Sequence, residues 1–368
     1  MVKIFNRGIA SAEGFCNRVI ETKRLLTNVQ NITHTVLISP RRYGKTSLAL
    51  HAIECARLPY AHLDFFMKYD CEDIYRECYS GISHLISKII KPTAKAIKLI
   101  ESVLKNVKVS LIAGEIGLEL SLIPTMHAEK NLKTLLVGLD ELAAKNKKKA
   151  IVFIDEVQAI TESPMCDEFE AAVRFVAQKT QHLAFIFSGS NRHLVSRIFE
   201  DKSRPFYKLC QILPLTRIAA NHYETFINSF AITQWGDPLT TDTLNAVFQY
   251  TKLHPYYINI LCEKLFEQSN LPNALSVDEC WQQICKEEQG GVAKDIEFLT
   301  TKQKMLLSEI AKYQKLTMPT AQDFVNRVNL TPRGIIQALA TLLKHGIVEK
   351  RDTGEIKIID PVLEYWLK

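Results

Sequence analysis

The chain has 368 residues, 47% apolar and 23% charged, with 46 lysines and arginines against 40 aspartates and glutamates. That length points to two or three domains, and the balance is that of a globular chain with ample core material, which excludes a disordered or fibrous one. No apolar run approaches the ~18–20 residues that cross a bilayer, and the amino terminus lacks the basic-then-apolar pattern of a secretory signal. A cytoplasmic protein without membrane contact is expected. The formal charge of +6 suits an acidic partner, but less than a dedicated basic arm would. Nine cysteines are scattered with no Cys-x-x-Cys pair, so they read as reduced, mostly buried thiols rather than zinc ligands.

In chain order, HTVLIS (34–39) is a continuous apolar run, followed by a Gly-Lys-Thr turn and by SLALHAIECARL, in which apolar residues recur at helical spacing. Strand, loop and helix are therefore expected in succession. YAHLDFF (60–66) reads as a second strand, and residues 72–105 as helices interrupted at Pro92. Between 106 and 122 apolar and polar residues alternate around Gly114, the pattern of an inserted hairpin. A helix over 129–145 ends in the lysine-rich turn NKKK. AIVFIDE (150–156) and LAFIFSGS (183–190), separated by a helix around EFEAAVRFVAQKT, are near-continuous apolar strands of the kind that a parallel sheet covers on both faces. CQILPL (210–215) is the expected fifth strand.

From 216 to about 297 the pattern is helical. TKQKMLLSEIAKY then begins a third segment; Thr320 with Asp323 resembles a capping box at the start of the next helix, and Thr331-Pro332 opens the third, which stops at His345-Gly346. Two short strands joined at Asp352-Thr353-Gly354 complete a winged helix-turn-helix. The expected division is thus 1–215, an α/β core with a parallel five-stranded sheet between helical layers; 216–297, a helical lid; and 298–368, the winged helix.

The loop after the first strand carries the most specific signal. Ser39, Pro40, Arg41, Arg42, Tyr43, Gly44, Lys45, Thr46 and Ser47 form a phosphate loop in which Ser39 replaces the usual first glycine. A loop between a buried strand and a helix offers amide N–H groups and the positive helix end to an anion. Gly44 allows close approach, Lys45 reaches the β- and γ-phosphates of ATP, and the Thr46 hydroxyl coordinates Mg²⁺. Arg41 and Arg42 could contact phosphate or lid, or face solvent. Asp155 and Glu156 end a strand 110 residues after Lys45, at the sheet edge where α/β proteins bind ligands. Asp155 suits the Mg²⁺ shell and Glu156 the base that polarises the attacking water. Ser190 or Asn191, after the next strand, could bond the γ-phosphate or that water.

FCNRVIETKRLL (15–26), SPRRYGKTSL, FIDEVQ, FSGS, SRPFYKL (203–209), HPYYINILC (254–262) and IIDPVLEYWL (358–367) together give almost the whole chain a resemblance. It resembles the archaeal-type ATPases and their bacterial relatives, a STAND branch of the AAA+-like P-loop NTPases. The resemblance implies ATP as the nucleotide and Arg18 beside its base, with Val19 where the family usually has an acidic residue. It implies His254 and Pro255 as a lid sensor near the nucleotide, with Leu253 where glycine is common. It matches Arg204 to an arginine able to reach a γ-phosphate in its own or a neighbouring subunit. The expected function is an Mg-ATP-hydrolysing switch whose nucleotide state governs lid, winged helix and partner binding, including a protein partner or self-association. The alternative is an ATP-dependent DNA-binding regulator or loader, with Arg333, Gln337, Thr341 and Lys344 facing DNA and Lys350 and Arg351 in the wing. Residues 301–368 hold eleven lysines and arginines against seven acids, a modest footprint for that role.

Overall fold

The computed structural model describes residues 4–368 except 6, 69, 92, 105, 106, 115, 116, 125–127, 163–165, 314 and 352. By its contacts the chain forms two compact units. The sheet unit comprises Arg18–Ser39 and Lys45–Leu215, and the helical unit comprises Met1–Asn17, Pro40–Gly44 and Thr216–Lys368.

In the sheet unit the elements run α1 (Val19–Gln30), β1 (Thr35–Ile38), α2 (Lys45–Ala56), β2 (Tyr60–Asp64), α3 (Cys71–Ile89), α4 (Ala94–Val103), β3 (Val107–Gly114), β4 (Gly117–Pro124), α5 (Ala128–Lys145), β5 (Ala150–Asp155), a 3₁₀ turn (Val157–Glu162), α6 (Cys166–Ala177), β6 (Leu183–Gly189), α7 (Arg192–Glu200) and β7 (Gln211–Pro214). Five strands form a parallel sheet in the order β2-β5-β6-β1-β7. Every residue of β1, β5 and β6 is buried, which explains their uninterrupted apolar character: helices cover both faces, so neither face needs polar side chains. Register sets Ile38 beside Gly189 and Asp64 beside Asp155. The carboxyl ends of β1, β5 and β6 therefore gather at one edge.

The hairpin β3–β4 pairs Val107 with Pro124 and Gly114 with Gly117, and β4 lies along α3. The helix break expected at Pro92 falls on a residue outside those described, between α3 and α4; Asp352 of the wing turn is likewise outside them. The lysine-rich turn acts beyond its own ends. Lys148 Nζ donates to the Ile89 carbonyl at 2.9 Å, and Lys149 Nζ to the Gln30 carbonyl at 2.7 Å. Two cations thus satisfy carbonyls at the ends of α3 and α1, where helix dipoles favour positive charge.

The helical unit contains α8 (Ala220–Trp235), α9 (Thr241–Thr251), α10 (Pro255–Phe266), α11 (Ala274–Asp295), α12 (Thr301–Lys312), α13 (Gln322–Val328), α14 (Pro332–Lys344), β8 (Val348–Lys350), β9 (Ile356–Ile358) and α15 (Pro361–Leu367). One apolar core extends through it, from Phe5, Tyr257 and Trp281 to Leu306, Phe324 and Val362. Phe5 anchors the amino-terminal segment among Phe226, Phe230 and Phe266, with ring centroids 4.9–5.9 Å apart. In the winged helix, Thr331 caps α14 by accepting from the Gly334 amide, and Gly346 ends that helix at φ +66°. Leu316 adds a bridge to Ile356 beside the β8–β9 pair.

One local expectation is corrected. Thr320 does not cap α13, which begins from Ala321 without a side-chain cap; the Asp323 carboxylate instead accepts from the Tyr313 hydroxyl. A full capping box occurs one helix earlier, where Thr300 and Gln303 bond each other's backbone at the start of α12. Among the described cysteines four are buried, Cys16 and Cys210 are half-buried and Cys55 is exposed. Burial raises the Cys285 thiol to about 12, so it stays protonated.

Between α9 and α10 two consecutive non-glycine residues are left-handed, Lys252 at φ +51° and Leu253 at φ +59°. This explains why glycine suits the position of Leu253: a Cβ crowds the backbone in that region. Lys252 is exposed and contributes chiefly its carbonyl. Lys252→Gly is expected to raise stability by about 0.5–1 kcal/mol, the relief of strain less the added freedom of the unfolded chain, read as an increase in urea midpoint at unchanged slope. Leu253→Gly should gain less, because its side chain packs against the core.

Candidate functional site

In the sheet unit the edge carrying the ends of β1, β5 and β6 gathers the hydroxyl and carboxylate groups expected to act together. Ser39 and Lys45 are buried, and Lys45 Nζ donates to the Ser39 carbonyl at 3.2 Å. Thr46 Oγ1 donates to Asp155 Oδ2 at 2.6 Å. Ser188, on β6, donates to Asp155 Oδ1, which also accepts the Glu156 amide at 2.9 Å. His62 Nε2 stands 3.8 Å from Asp155 Oδ2. Burial alone would raise the Asp155 pKa, but His62 and the donors from Ser188, Thr46 and the Glu156 amide outweigh it and hold the carboxyl below its ordinary value. The group is therefore an ionised carboxylate at neutral pH.

Glu156 sits at φ +51°, a left-handed kink directly after β5. The kink folds the chain so that residues two apart converge. Glu156 Oε2 accepts from Ser190 Oγ at 2.7 Å and from Gln158 Nε2, and Gln158 Nε2 also reaches Ser190 Oγ at 3.2 Å. Gly189 makes room: a Cβ there would stand 2.6 Å from Gln158 Oε1. Of the two polar residues left open by the sequence, Ser190 joins Glu156. The Asn191 side-chain oxygen Oδ1 caps α7 by accepting from the Leu194 amide at 3.1 Å. Gln158 was not singled out, although its spacing from Glu156 and the small Gly189 were the available signal.

The remaining sheet-unit candidates are engaged locally. Arg18 is buried at φ +63° and donates to Glu21 Oε1 at 2.9 Å. Arg204 pairs with the fully buried Glu170.

Pro40–Gly44, the middle of the loop, groups with the helical unit. Gly44 takes φ +85° with open space where a Cβ would be, so conformation rather than crowding calls for glycine. Arg41 is exposed. Arg42, at φ +63°, lies 4.1 Å above the Tyr256 ring and 3.8 Å from Glu288 Oε2. Tyr43 is buried, and its hydroxyl accepts from Arg217 Nε at 3.0 Å. Its ring meets His254 edge-on at 5.0 Å. His254 precedes Pro255, the first residue of α10, and makes no side-chain cap. Arg217 had no signal beyond being a cation just past β7.

His254 is 3% exposed, and its Nδ1 has no hydrogen-bond partner among the described residues. Burial, reinforced by Arg217 and Arg42, pushes its pKa down to about 3. The unfolded chain takes up this proton near pH 6.5 and the folded chain does not. Stability is therefore complete above pH 6.5 and falls as pH drops from there toward 3, by at most ~1.4 kcal/mol per pH unit. The groups facing the ring are Arg217, Arg42, Tyr43 and Tyr257. His254→Gln should flatten the decline between pH 7 and 5.5 relative to wild type in urea titrations at each pH.

A family model described as a probable winged helix domain matches residues 293–368. No curated protein sequence matches the chain. Among solved structures, a Walker-type ATPase of Pyrococcus abyssi is similar at TM-score 0.72 and 18% identity, with 99% of each chain covered. The ORC2 protein of Aeropyrum pernix, in ADPNP–ADP complexes, is similar at TM-score 0.60 and 15% identity, covering 99% of this chain and 96% of that one. The chain thus has the fold of an AAA+-like Walker-type ATPase that ends in a winged helix.

Proposed function

We propose that the chain binds and hydrolyses Mg-ATP as a molecular switch of the STAND type within the AAA+-like ATPases. The observation that carries this reading is the 2.6 Å contact between Thr46 and Asp155. It joins the hydroxyl next to the loop lysine with the carboxylate at the end of β5, and this pairing serves the metal that accompanies a nucleotide triphosphate. Their donor set fits Mg²⁺, a hard cation that takes oxygen ligands and keeps several waters. Among the described residues no group of three or more His, Cys, Asp or Glu could hold a metal by itself, so phosphate oxygens and water would complete the shell. When bound, Mg²⁺ would neutralise charge developing on the β- and γ-phosphates.

In this reading the backbone N–H groups of the loop from Arg41 through Ser47 cradle the phosphates, and Lys45 supplies charge to the β- and γ-oxygens. Glu156 takes the proton of the attacking water. Ser190 and Gln158 fix its orientation, so the base is held in place before water arrives. Arg18, His254 and Pro255 are proposed near the base and phosphates, on the strength of the family resemblance. Arg204 can act on the γ-phosphate only after exchanging Glu170 for it; Asn191 serves first as the cap of α7. The division into core (1–215), lid (216–297) and winged helix (298–368) belongs to the same proposal. Nucleotide would shift the arrangement only as far as its differential contacts with the two states allow.

A second reading, DNA binding through the winged helix, is favoured by the exposure of Arg333, Gln337 and Lys344 on α14. It is weakened by pairing in the wing, where Arg351 contacts Glu349 and Glu355, and Lys357 contacts Glu355. Exposed Ile336 on α14 suits a protein surface as readily as a phosphate backbone.

Lys45→Ala is expected to abolish binding of a fluorescent ATP analogue. Glu156→Gln should keep binding and lower phosphate release by ~10²–10⁴-fold, and EDTA should stop release in wild type. Absence of nucleotide binding by the wild-type chain would overturn the proposal. A mobility shift at low salt that disappears in an Arg333→Ala, Lys344→Ala variant would favour the DNA reading.

A further inference from the structure

We infer that Arg217 is a positioning residue for the phosphate loop, and that it makes the loop's geometry depend on how the winged helix is seated. The inference rests on the nucleotide reading above. Arg217 lies in the short connection between β7 and α8, and its three donor nitrogens serve three distant parts of the chain. Nε donates to the Tyr43 hydroxyl at 3.0 Å, Nη1 to the Lys252 carbonyl at 2.5 Å, and Nη2 to the Ile359 carbonyl at 2.9 Å. These acceptors belong to the loop, to the left-handed turn before α10, and to the junction of β9 with α15.

A guanidinium is planar and its N–H directions are fixed relative to one another. One acceptor therefore cannot shift appreciably unless the plane turns and loosens the other two bonds. A lysine ammonium, a point donor on a flexible stem, can hold one or two of these acceptors but imposes no such relation.

A second path runs beside the first. His254 packs between Tyr43 and Tyr257, with ring centroids 5.0 and 5.2 Å away. The Tyr257 hydroxyl donates to Asp360 Oδ2 at 2.7 Å, while Asp360 Oδ1 accepts the Val362 and Leu363 amides to cap α15. Consecutive winged-helix residues, Ile359 and Asp360, are thus tied to Tyr43 by one hydrogen-bonded route and one packed route. Tyr43 directly precedes Gly44 and Lys45, so a displacement of its ring is carried by the backbone into the residues that would meet phosphate. By reciprocity, whatever the winged helix does to nucleotide affinity, nucleotide does to the winged helix by the same factor.

The test uses the full chain, a fluorescent ADP analogue with Mg²⁺, and hydrogen exchange of the 347–363 segment. In wild type, saturating nucleotide should change exchange in that segment by roughly fivefold or more. Arg217→Lys should reduce that response at least severalfold and weaken nucleotide binding by a similar factor, with a cooperative urea transition retained. Tyr43→Phe, which deletes one hydroxyl and keeps the ring's packing on His254, should reduce the response and the affinity in the same direction. Trp366→Phe is the control for simple destabilisation. It loses the bond from Trp366 to the Cys285 carbonyl at 3.0 Å in the same unit, and should lower stability while keeping the response. If wild type binds nucleotide and the winged helix does not respond, or if Arg217→Lys and Tyr43→Phe respond as wild type does, the inference is overturned while the nucleotide reading survives. Failure of wild type to bind nucleotide overturns both.

Discussion

Everything at the sheet edge depends on one short hydrogen bond, from the Thr46 hydroxyl to the Asp155 carboxylate. The two residues are 109 positions apart and meet because β1 and β5 flank β6 in a parallel sheet whose register ends all three strands at one level. A one-residue slip in either pairing would turn Asp155 toward the opposite face, since side chains alternate along a strand. The continuous apolar runs that stabilise the sheet therefore also fix the relation between the loop and the acid. Stability and site geometry share a cause here.

That arrangement has costs, and some of them fall at the site itself. Asp155 is a buried carboxylate kept charged by several donors and a neighbouring imidazole. Glu156 is left-handed, and so are Arg42, Lys252 and Leu253. Each such position opposes folding by about 1–3 kcal/mol, and none persists unless its surroundings over-determine it. For Glu156 the surroundings are Gln158, Ser190 and the absence of a side chain at Gly189. The same kink that strains the backbone brings the carboxylate to two donors, so strain and preorganisation are two aspects of one conformation.

The sequence made β1, β5 and β6 legible because strands covered on both faces are apolar at nearly every position, and the turn residues that bound these short runs separate them from helix segments. The Gly44-Lys45-Thr46 turn and the Asp155-Glu156 pair were legible because each is contiguous. Helix α1 was not read, since Val19 and Ile20 are exposed and break the apolar stripe at its first turn. The cap expected at Thr320 failed because Asp323 found a nonlocal partner in Tyr313. Gln158 was visible in principle, being two residues from Glu156, but its role required the positive φ between them. Arg217, Glu170 and Glu288 were invisible for a deeper reason: their partners lie tens to hundreds of residues away, and two of Arg217's three acceptors are carbonyls, which every residue possesses.

The use of carbonyls also bears on what the winged helix can be. Its wing cations Arg351 and Lys357 are matched to Glu349 and Glu355, which leaves exposed Lys350 as the wing cation outside those pairs, so the segment's modest net charge overstates what a phosphate backbone would encounter there. Its tie to the loop, by contrast, passes through the Ile359 carbonyl and the Asp360 cap, groups that persist through most side-chain substitutions nearby. A domain that directs backbone polarity inward and pairs its surface charge locally is better suited to report a conformational state than to grip a polyanion. Neutral acceptors also make such a tie insensitive to salt, whereas a DNA contact made by Arg333, Lys344 and Lys350 would weaken steeply with it. Ionic strength thus separates the two uses of the same fold: coupling through Arg217 should persist where phosphate contacts are screened.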